Sequence, residues 1–282
     1  MELSRLLARY RAQSLFLPAH NRGSALPNEI KRLLRGKPGI WDLPELPDWG
    51  GPLLGSGAVA ESQRLLASLF GAKRAWYGVN GATGLLQAGL LAMTRPGTAV
   101  LMPRNVHKSI INACILGGVT PVFFNLPFAR DRGHFLLPDT IWMKKVIEAA
   151  IKEGREKISA VVLVNPSYQG YSTNIVSLVQ QCHKEGWPII VDEAHGTHFA
   201  SGVDELPNSA LTGGADLVVH SLHKSASGLV QTAIIWLQGE LVEPLSVERS
   251  IGLIQTSSPS SLLLASCEAS LLTFKSSLGK KN

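Results

Sequence analysis

Cysteine is scarce in this chain of 282 residues, and the three that occur, Cys114, Cys182 and Cys267, are far apart. An odd number of cysteines without metal-type spacing argues against a disulfide framework and a metal site, and reduced thiols are typical of the cytoplasm. No apolar run approaches the roughly 18 residues that a membrane span needs, and the charged N-terminal residues do not form a signal peptide. We expect a cytoplasmic protein without a membrane partner.

Two further functional classes lack their sequence signatures. The net charge is +6, but no Lys/Arg cluster with interleaved aromatic residues is present, so we expect no nucleic-acid partner. No glycine-rich loop ends in Gly-Lys-Ser or Gly-Lys-Thr, which argues against a P-loop NTPase. A hydrophobic content of 45% and a charged content of 17% are typical of a chain that buries one large core.

A lysine that follows an apolar stretch is the most informative residue. Residues 215–219 predict a buried strand, and Ser221, His223 and Lys224 come directly after it. An amine at the edge of a packed sheet loses solvation, which lowers its pKa and frees it to attack a carbonyl. Lys224 is therefore a candidate Schiff-base lysine for pyridoxal 5'-phosphate (PLP), with phosphate ligands beside it. Taken alone, a lysine that caps a strand end is the simpler interpretation.

A second apolar run, residues 189–191, ends in Asp192. It predicts a buried parallel strand that delivers a carboxylate to the sheet edge where open α/β folds bind ligands. PLP is an electron sink only while its pyridine nitrogen is protonated, and an adjacent carboxylate holds that proton. Asp192 suits this role, and Ala194 is small enough to lie against a flat ring. Metal-dependent ATPases share the strand-Asp-Glu pattern, but they require the P-loop that is missing here.

Two more predicted strand ends carry candidate ligands. Residues 76–91 predict a strand, a glycine turn and a helix whose first N–H groups attract an anion, and Thr83 adds a hydroxyl there. His107 follows a predicted strand at 98–102, where a flat imidazole can stack on a cofactor and assist proton transfer. Each pattern alone also has a purely structural interpretation, as a βα turn or a helix N-cap.

Together these motifs resemble the Orn/Lys/Arg decarboxylase family of PLP-dependent enzymes. The most specific match is Asp-Glu-Ala-His-Gly at 192–196 followed by Ser-Leu-His-Lys at 221–224, with Asp192 and Lys224 separated by 32 positions. Further matching segments lie at residues 18–23, 80–84, 104–109 and 255–260. Ala19 and Asn21 depart from the family pattern, which usually has Gly and Lys there.

The resemblance implies a role for each candidate residue. Lys224 would hold PLP as a Schiff base, Asp192 would pair with the pyridine nitrogen, and His107 would stack on the ring. Ala194 and His195, close behind Asp192, would also face the cofactor. The phosphate ligands would be Ala82, Thr83, Ser221 and His223.

The alternation of predicted strands and helices indicates an α/β fold with a mainly parallel sheet and helices on both faces. The resemblance implies the PLP-dependent transferase-like fold type I. We predict an N-terminal helix (about 2–14) and loop segment at 1–57, a PLP-binding large domain at 58–282, and an antiparallel strand within 230–237. Family members continue into a smaller C-terminal domain, which we expect to be absent from these 282 residues.

The function implied by the resemblance is that of a lyase: decarboxylation of ornithine, lysine or arginine, as in polyamine biosynthesis. Two alternatives remain open, namely other PLP chemistry such as transamination or aldol cleavage, and a non-catalytic PLP-binding fragment. The loop at 165–170 would bring Ser167 or Tyr168 near the cofactor or substrate. The resemblance also implies a homodimer or a higher oligomer, in which residues 256–258 reach the phosphate of a neighbouring subunit.

Overall fold

The computed structural model describes residues 17–153 and 158–278. The helices are α1 (Asn28–Arg35), α2 (Ala58–Phe70), α3 (Gly81–Met93), α4 (Lys108–Gly117), α5 (Thr140–Lys152), α6 (Ile175–Lys184), α7 (Leu222–Ser225), α8 (Pro244–Ile254) and α9 (Ser261–Leu278). The strands are β1 (Arg74–Gly78), β2 (Ala99–Pro103), β3 (Thr120–Phe124), β4 (Phe128–Ala129), β5 (His134–Phe135), β6 (Ile158–Val164), β7 (Ile189–Asp192), β8 (Leu217–Ser221) and β9 (Ala233–Leu237).

Within the described residues, seven strands form one sheet in the order β1-β9-β8-β7-β6-β2-β3. Strand β9 runs antiparallel to both of its neighbours, whereas every pair from β8 to β3 is parallel. The carboxyl ends of all these strands except β9 therefore lie at one edge of the sheet. The predicted α/β fold is confirmed, and so is the antiparallel strand that follows the lysine.

The sheet is buried between two apolar layers. Helices α2, α5, α6 and α9 contribute to the core on one face, and α3, α4 and α8 contribute to the core on the other. Val218 packs in the first layer and Val219 in the second, which is the two-residue alternation of a strand covered on both sides. These continuous Val, Ile and Leu runs are what made the strands predictable from sequence.

Helix α3 lies unusually close to the sheet because it carries glycine at the contact. A Cβ atom at Gly89 would be 2.5 Å from Cδ1 of Ile190 in β7 and 3.1 Å from Cδ1 of Ile235 in β9. Only a residue without a side chain allows this separation. The close approach fixes α3 across β7 and β9, and the N-terminal end of α3 follows β1 at the carboxyl edge.

Several short elements differ from the sequence predictions. The helix and loop segment predicted at 1–57 contains α1 and a short 3₁₀ turn at Pro38–Trp41, for which no element was predicted. Helices α7 and α8 and the β4–β5 hairpin also had no predicted counterpart. Elements of two to four residues, such as β4, β5 and α7, are too short to show a hydrophobic period. The helix predicted at about 2–14 lies outside the described residues. In the part of the chain that the structure describes, no helix is both long and apolar enough to cross a membrane.

Candidate functional site

A cavity of about 300 Å³ opens at the carboxyl edge of the sheet. The residues expected to bind a phosphate all line it, namely Ala82, Thr83, Ser221 and His223. The other residues singled out from the sequence line the same cavity, namely His107, Asp192, Ala194, His195 and Lys224. The fold thus brings together groups from four strand ends that are up to 142 positions apart in the chain.

The strand order explains this convergence. Strands β7 and β8 are neighbours, with Asp192 opposite Val219, so the carboxylate and the Ser221–Lys224 segment leave the sheet side by side. Helix α7 begins directly after β8 and holds Lys224 in its single turn. On the other side of β8 lie β9 and then β1, and Gly81 follows the carboxyl end of β1. The Gly81 N–H donates to the carbonyl of Gln231 (2.8 Å).

The start of α3 supplies free hydrogen-bond donors to the cavity. The preceding Asn80 makes no side-chain cap hydrogen bond, and the Gly81 N–H is used for the Gln231 carbonyl. The free donors are therefore the N–H groups of Ala82 and Thr83, which have no acceptor among the described residues. Thr83 adds a hydroxyl, and Ser221 Oγ lies 3.1 Å from Nδ1 of His223. Uncapped N–H groups and the positive end of a helix dipole attract an anion. These groups can hold a phosphate.

The amine of Lys224 lies 3.0 Å from Nε2 of His195. Burial lowers the pKa of Lys224, against the opposing effect of the Asp192 charge. Burial also lowers the pKa of His195 to about 4, helped by the positive charge of Lys224. A neutral imidazole can accept a hydrogen bond from the amine. Because it carries no positive charge, it does not compete with the start of α3 for an anion. A lysine held in this way is prepared to act as a nucleophile once it loses a proton.

Asp192 is 7% exposed and ends β7 inside the cavity. Burial raises its pKa, while a hydrogen bond from the Ala194 N–H (3.1 Å) and the charge of Lys224 oppose the rise. A carboxylate in this environment gains from any cationic group that enters the cavity. Asp192 can therefore pair with a protonated ring nitrogen.

His107 is a helix N-cap, which is one of its two sequence interpretations, and it also lies in the wall of the cavity. It is the N-cap of α4, where Nδ1 accepts a hydrogen bond from the Ser109 N–H (3.2 Å). The same imidazole lines the cavity. The cap hydrogen bond fixes the ring orientation, so this flat surface is presented to a ligand without loss of rotamer entropy.

The N-terminal motif also reaches the site, through its main chain. The Ala19 N–H donates to the carbonyl of His223 (2.9 Å), and His20 Nδ1 accepts from the Gly23 N–H (2.9 Å). Alanine has the same main-chain N–H as glycine, so alanine at position 19 is compatible with this hydrogen bond.

Of the two candidates in the loop at 165–170, only Tyr168 lines the cavity. Its ring is 84% exposed and meets the His195 ring edge to face at 5.5 Å. Ser167 is buried and its Oγ accepts from the Tyr171 N–H (3.3 Å) instead. The sequence motif placed both residues near the site but carried no signal for which of them faces it.

A buried pair behind the cavity was missed. Glu193 and His220 are fully buried, and Glu193 Oε2 lies 2.7 Å from His220 Nε2. Glu193 belongs to the motif at 192–196 and His220 directly precedes the motif at 221–224, yet nothing in the sequence assigned them a partner. A charged residue at the end of an apolar strand was the only available signal.

Among the described residues, no group of three His, Cys, Asp or Glu side chains is arranged to hold a metal ion.

Comparison with known families matches the whole described chain to one model. Residues 7–282 match the model for the Orn/Lys/Arg decarboxylase major domain. The arginine decarboxylase of Halalkalibacterium halodurans is 31% identical over 268 residues, which cover 93% of this chain and 52% of that protein. The chain spans about half the length of curated relatives such as the arginine decarboxylases that it matches.

Solved structures share the fold. Lysine decarboxylase A from Pseudomonas aeruginosa superimposes with a TM-score of 0.75 at 21% identity, covering 99% of this chain and 40% of that one. A structure of SPT with PLP superimposes with a TM-score of 0.57 at 20% identity, covering 78% of this chain and 51% of that one. These likenesses show that the chain has the fold of PLP-dependent fold type I enzymes.

The lowered pKa of His195 predicts an acid-sensitive fold. Above pH 6.5 the imidazole is neutral in both the folded and unfolded chains. Between pH 6.5 and about 4 the unfolded chain takes up the proton first, so stability falls as the pH falls. We expect His195→Gln to lose less stability than the wild type across this window. Urea unfolding over a pH series measures the free energy of unfolding of both proteins. The difference between the two proteins should stay constant above about pH 7, and parallel curves down to pH 4 would contradict the prediction.

Proposed function

The chain belongs to the Orn/Lys/Arg decarboxylase family, and we propose that its cavity binds PLP and decarboxylates a basic amino acid, ornithine, lysine or arginine. The observation that carries this proposal is the meeting of Lys224, Asp192 and the uncapped start of α3 in one cavity. A product amine of this class belongs to polyamine biosynthesis, and we place the reaction in the cytoplasm.

The residues present fit the cofactor. PLP carries a phosphate, an aldehyde and a basic ring nitrogen, and each needs a different partner. Along the sheet edge, α3 and Ser221 offer donors to the phosphate, Lys224 offers an amine to the aldehyde, and the next strand offers Asp192 to the ring nitrogen. The uncapped helix start is the structural sign of an anion site, since buried helix ends normally find a partner.

The chain's own residues then define the chemistry. When bound, PLP supplies the electron sink that a decarboxylation needs. Burial lowers the pKa of Lys224 and so favours loss of its proton, and Nε2 of His195 lies 3.0 Å from the amine and holds it in place. Asp192 holds a proton on the ring nitrogen by its negative charge, because water is largely excluded from the end of β7.

Three other side chains shape the site. Ala194 leaves room for a flat ring next to Asp192, and His107 presents its imidazole from the start of α4. Tyr168 stands at the mouth of the cavity against His195, where a substrate would enter. We propose Tyr168 as a substrate contact, since it is the exposed aromatic group of this wall.

The first prediction is that PLP becomes attached to Lys224. Addition of PLP to the purified protein should produce a visible absorbance band, and borohydride should fix the cofactor to the peptide that contains Lys224. Lys224→Ala should abolish both signals. Lys144→Ala, which removes a well-exposed amine from α5, is the matched control and should retain them. Label on a different peptide would contradict the assignment.

The same preparation decides the reaction class. Release of carbon dioxide from ornithine, lysine or arginine supports decarboxylation. A keto acid indicates transamination, and glycine with an aldehyde indicates aldol cleavage. Attachment of PLP without any of these products indicates a binding protein.

The second prediction concerns Asp192→Asn. The amide keeps the acceptor for the Ala194 N–H but cannot hold the ring proton by charge, so turnover should fall by roughly a hundredfold or more. The melting temperature of the cofactor-free protein should not fall, because burial already disfavours the charged carboxylate. Kinetics and thermal unfolding of the same sample test this. Full turnover would refute the electron-sink role.

The third prediction concerns assembly. We propose a homodimer in which Thr256, Ser257 and Ser258 reach the phosphate site of the neighbouring subunit. Leu253, 80% exposed on α8, lies three residues before Thr256 and offers an apolar contact. Light scattering should give twice the monomer mass for the wild type and a larger monomer fraction for Leu253→Asp. A wild type that stays monomeric would exclude a shared site.

A further inference from the structure

Glu193 is a fully buried carboxylate that the mechanism above does not use. Its Oε2 accepts hydrogen bonds from Nε2 of His220 (2.7 Å) and from the hydroxyl of Ser209. Its Oε1 accepts from the Ala210 N–H (2.8 Å). Three donors from two separate segments therefore converge on one side chain, which is how a protein stabilises a buried carboxylate.

A tryptophan sets the direction of the central hydrogen bond. Trp236 Nε1 lies 2.9 Å from Nδ1 of His220, and an indole nitrogen can only donate. His220 Nδ1 therefore accepts, and the imidazole carries its proton on Nε2, where it donates to Glu193. The tautomer of a histidine in β8 is thus determined by a residue of β9.

This network is attached to both segments that carry the proposed chemistry. Glu193 lies between Asp192 and Ala194, and its carbonyl accepts from the Gly196 N–H (2.8 Å). His220 directly precedes Ser221 at the end of β8. A Cβ atom at Gly196 would be 2.6 Å from Cγ of Glu193. The turn that follows β7 is packed so tightly on this carboxylate that the two have little freedom to move independently.

We propose that Glu193 is a positioning residue: through His220 and Ser209 it holds the turn at 192–196 so that Asp192 and His195 face Lys224. The catalytic meaning of this inference rests on the proposed function, but the network and its contact with the turn exist in the cofactor-free chain. The arrangement requires an acceptor on both oxygens. In Glu193→Gln the new NH2 group would face a donor, either the His220 or the Ala210 N–H.

A matched control exists at the opposite end of the same strands. Asp216, just before β8, is also fully buried and also accepts from a histidine, His183 Nε2 (2.8 Å), and from a main-chain donor, the Ile189 N–H (2.8 Å). Ile189 is the first residue of β7, whereas Glu193 follows its last residue. Asp216→Asn therefore removes a buried, histidine-bonded carboxylate without touching the cavity. Because Oδ1 of Asp216 has no hydrogen-bond partner among the described residues, this control matches the loss of the carboxylate and not the loss of a second acceptor.

The first measurement uses the protein without cofactor. The pKa of Lys224 is obtained from the pH dependence of its modification by an amine reagent, read for each peptide by mass spectrometry. Burial lowers this pKa in the wild type. In Glu193→Gln the loosened turn should admit water to the amine, and because desolvation affects this pKa more than the opposing charge of Asp192, the pKa should rise toward its ordinary value. In Asp216→Asn it should not change.

The second measurement is the affinity for PLP, followed by absorbance. The dissociation constant should rise roughly tenfold in Glu193→Gln, the effect of losing one hydrogen bond to a charged group, and stay near the wild-type value in Asp216→Asn. His220→Gln retains an N–H donor toward Glu193 and should behave nearly as the wild type. His220→Leu removes the donor and should behave as Glu193→Gln. If Glu193→Gln does not fold, the comparison of His220→Gln with His220→Leu tests the same role.

The outcomes separate this inference from the proposed function. Equal effects of Glu193→Gln and Asp216→Asn, or no effect of either, would overturn the positioning role. If the wild type fails to bind PLP while the Lys224 pKa shifts only in Glu193→Gln, the proposed function fails and the positioning role stands. If the wild type binds PLP, and Glu193→Gln binds it equally well with the same Lys224 pKa, the positioning role fails and the proposed function stands.

Discussion

The parallel pairing of β7 with β8 is the constraint on which the candidate site depends. Its register sets Asp192 opposite Val219, and the Glu193 N–H continues the pairing by donating to the Val219 carbonyl (3.1 Å). A slip of one residue would move Asp192 to the other face of the sheet. Both strands are buried on both faces, so such a slip would also exchange their apolar side chains between the two core layers. Packing of the core therefore maintains the register that forms the cavity.

Burial at this strand edge acts on two opposite charges at once. It lowers the pKa of Lys224 and raises the pKa of Asp192, and each charge partly offsets the desolvation of the other. The result is an amine that gives up its proton more readily than an exposed lysine and a carboxylate that gains from a cationic partner. Both properties come from the same exclusion of water, which the helices on either face of the sheet provide. Fold and proposed chemistry therefore share one cause.

The strands and the residues at their ends were predictable, because apolar runs ending in Asp192 and Ser221 are local signals. The order of the strands in the sheet was not predictable, because no local sequence signal indicates that β9 lies between β1 and β8. The same limit applies to Glu193 and Trp236, which are 43 positions apart and meet only through His220. Side-chain direction in the loop of Tyr168 depends on packing that no periodicity encodes.

The most direct test of the account is an experimental structure of the protein with PLP. It should show the cofactor joined to Nζ of Lys224, the phosphate at the first turn of α3 beside Ser221, and the ring nitrogen within hydrogen-bond distance of Asp192. PLP bound outside this cavity, or joined to another lysine, would contradict the claim that the strand ends of β1, β7 and β8 form one cofactor site.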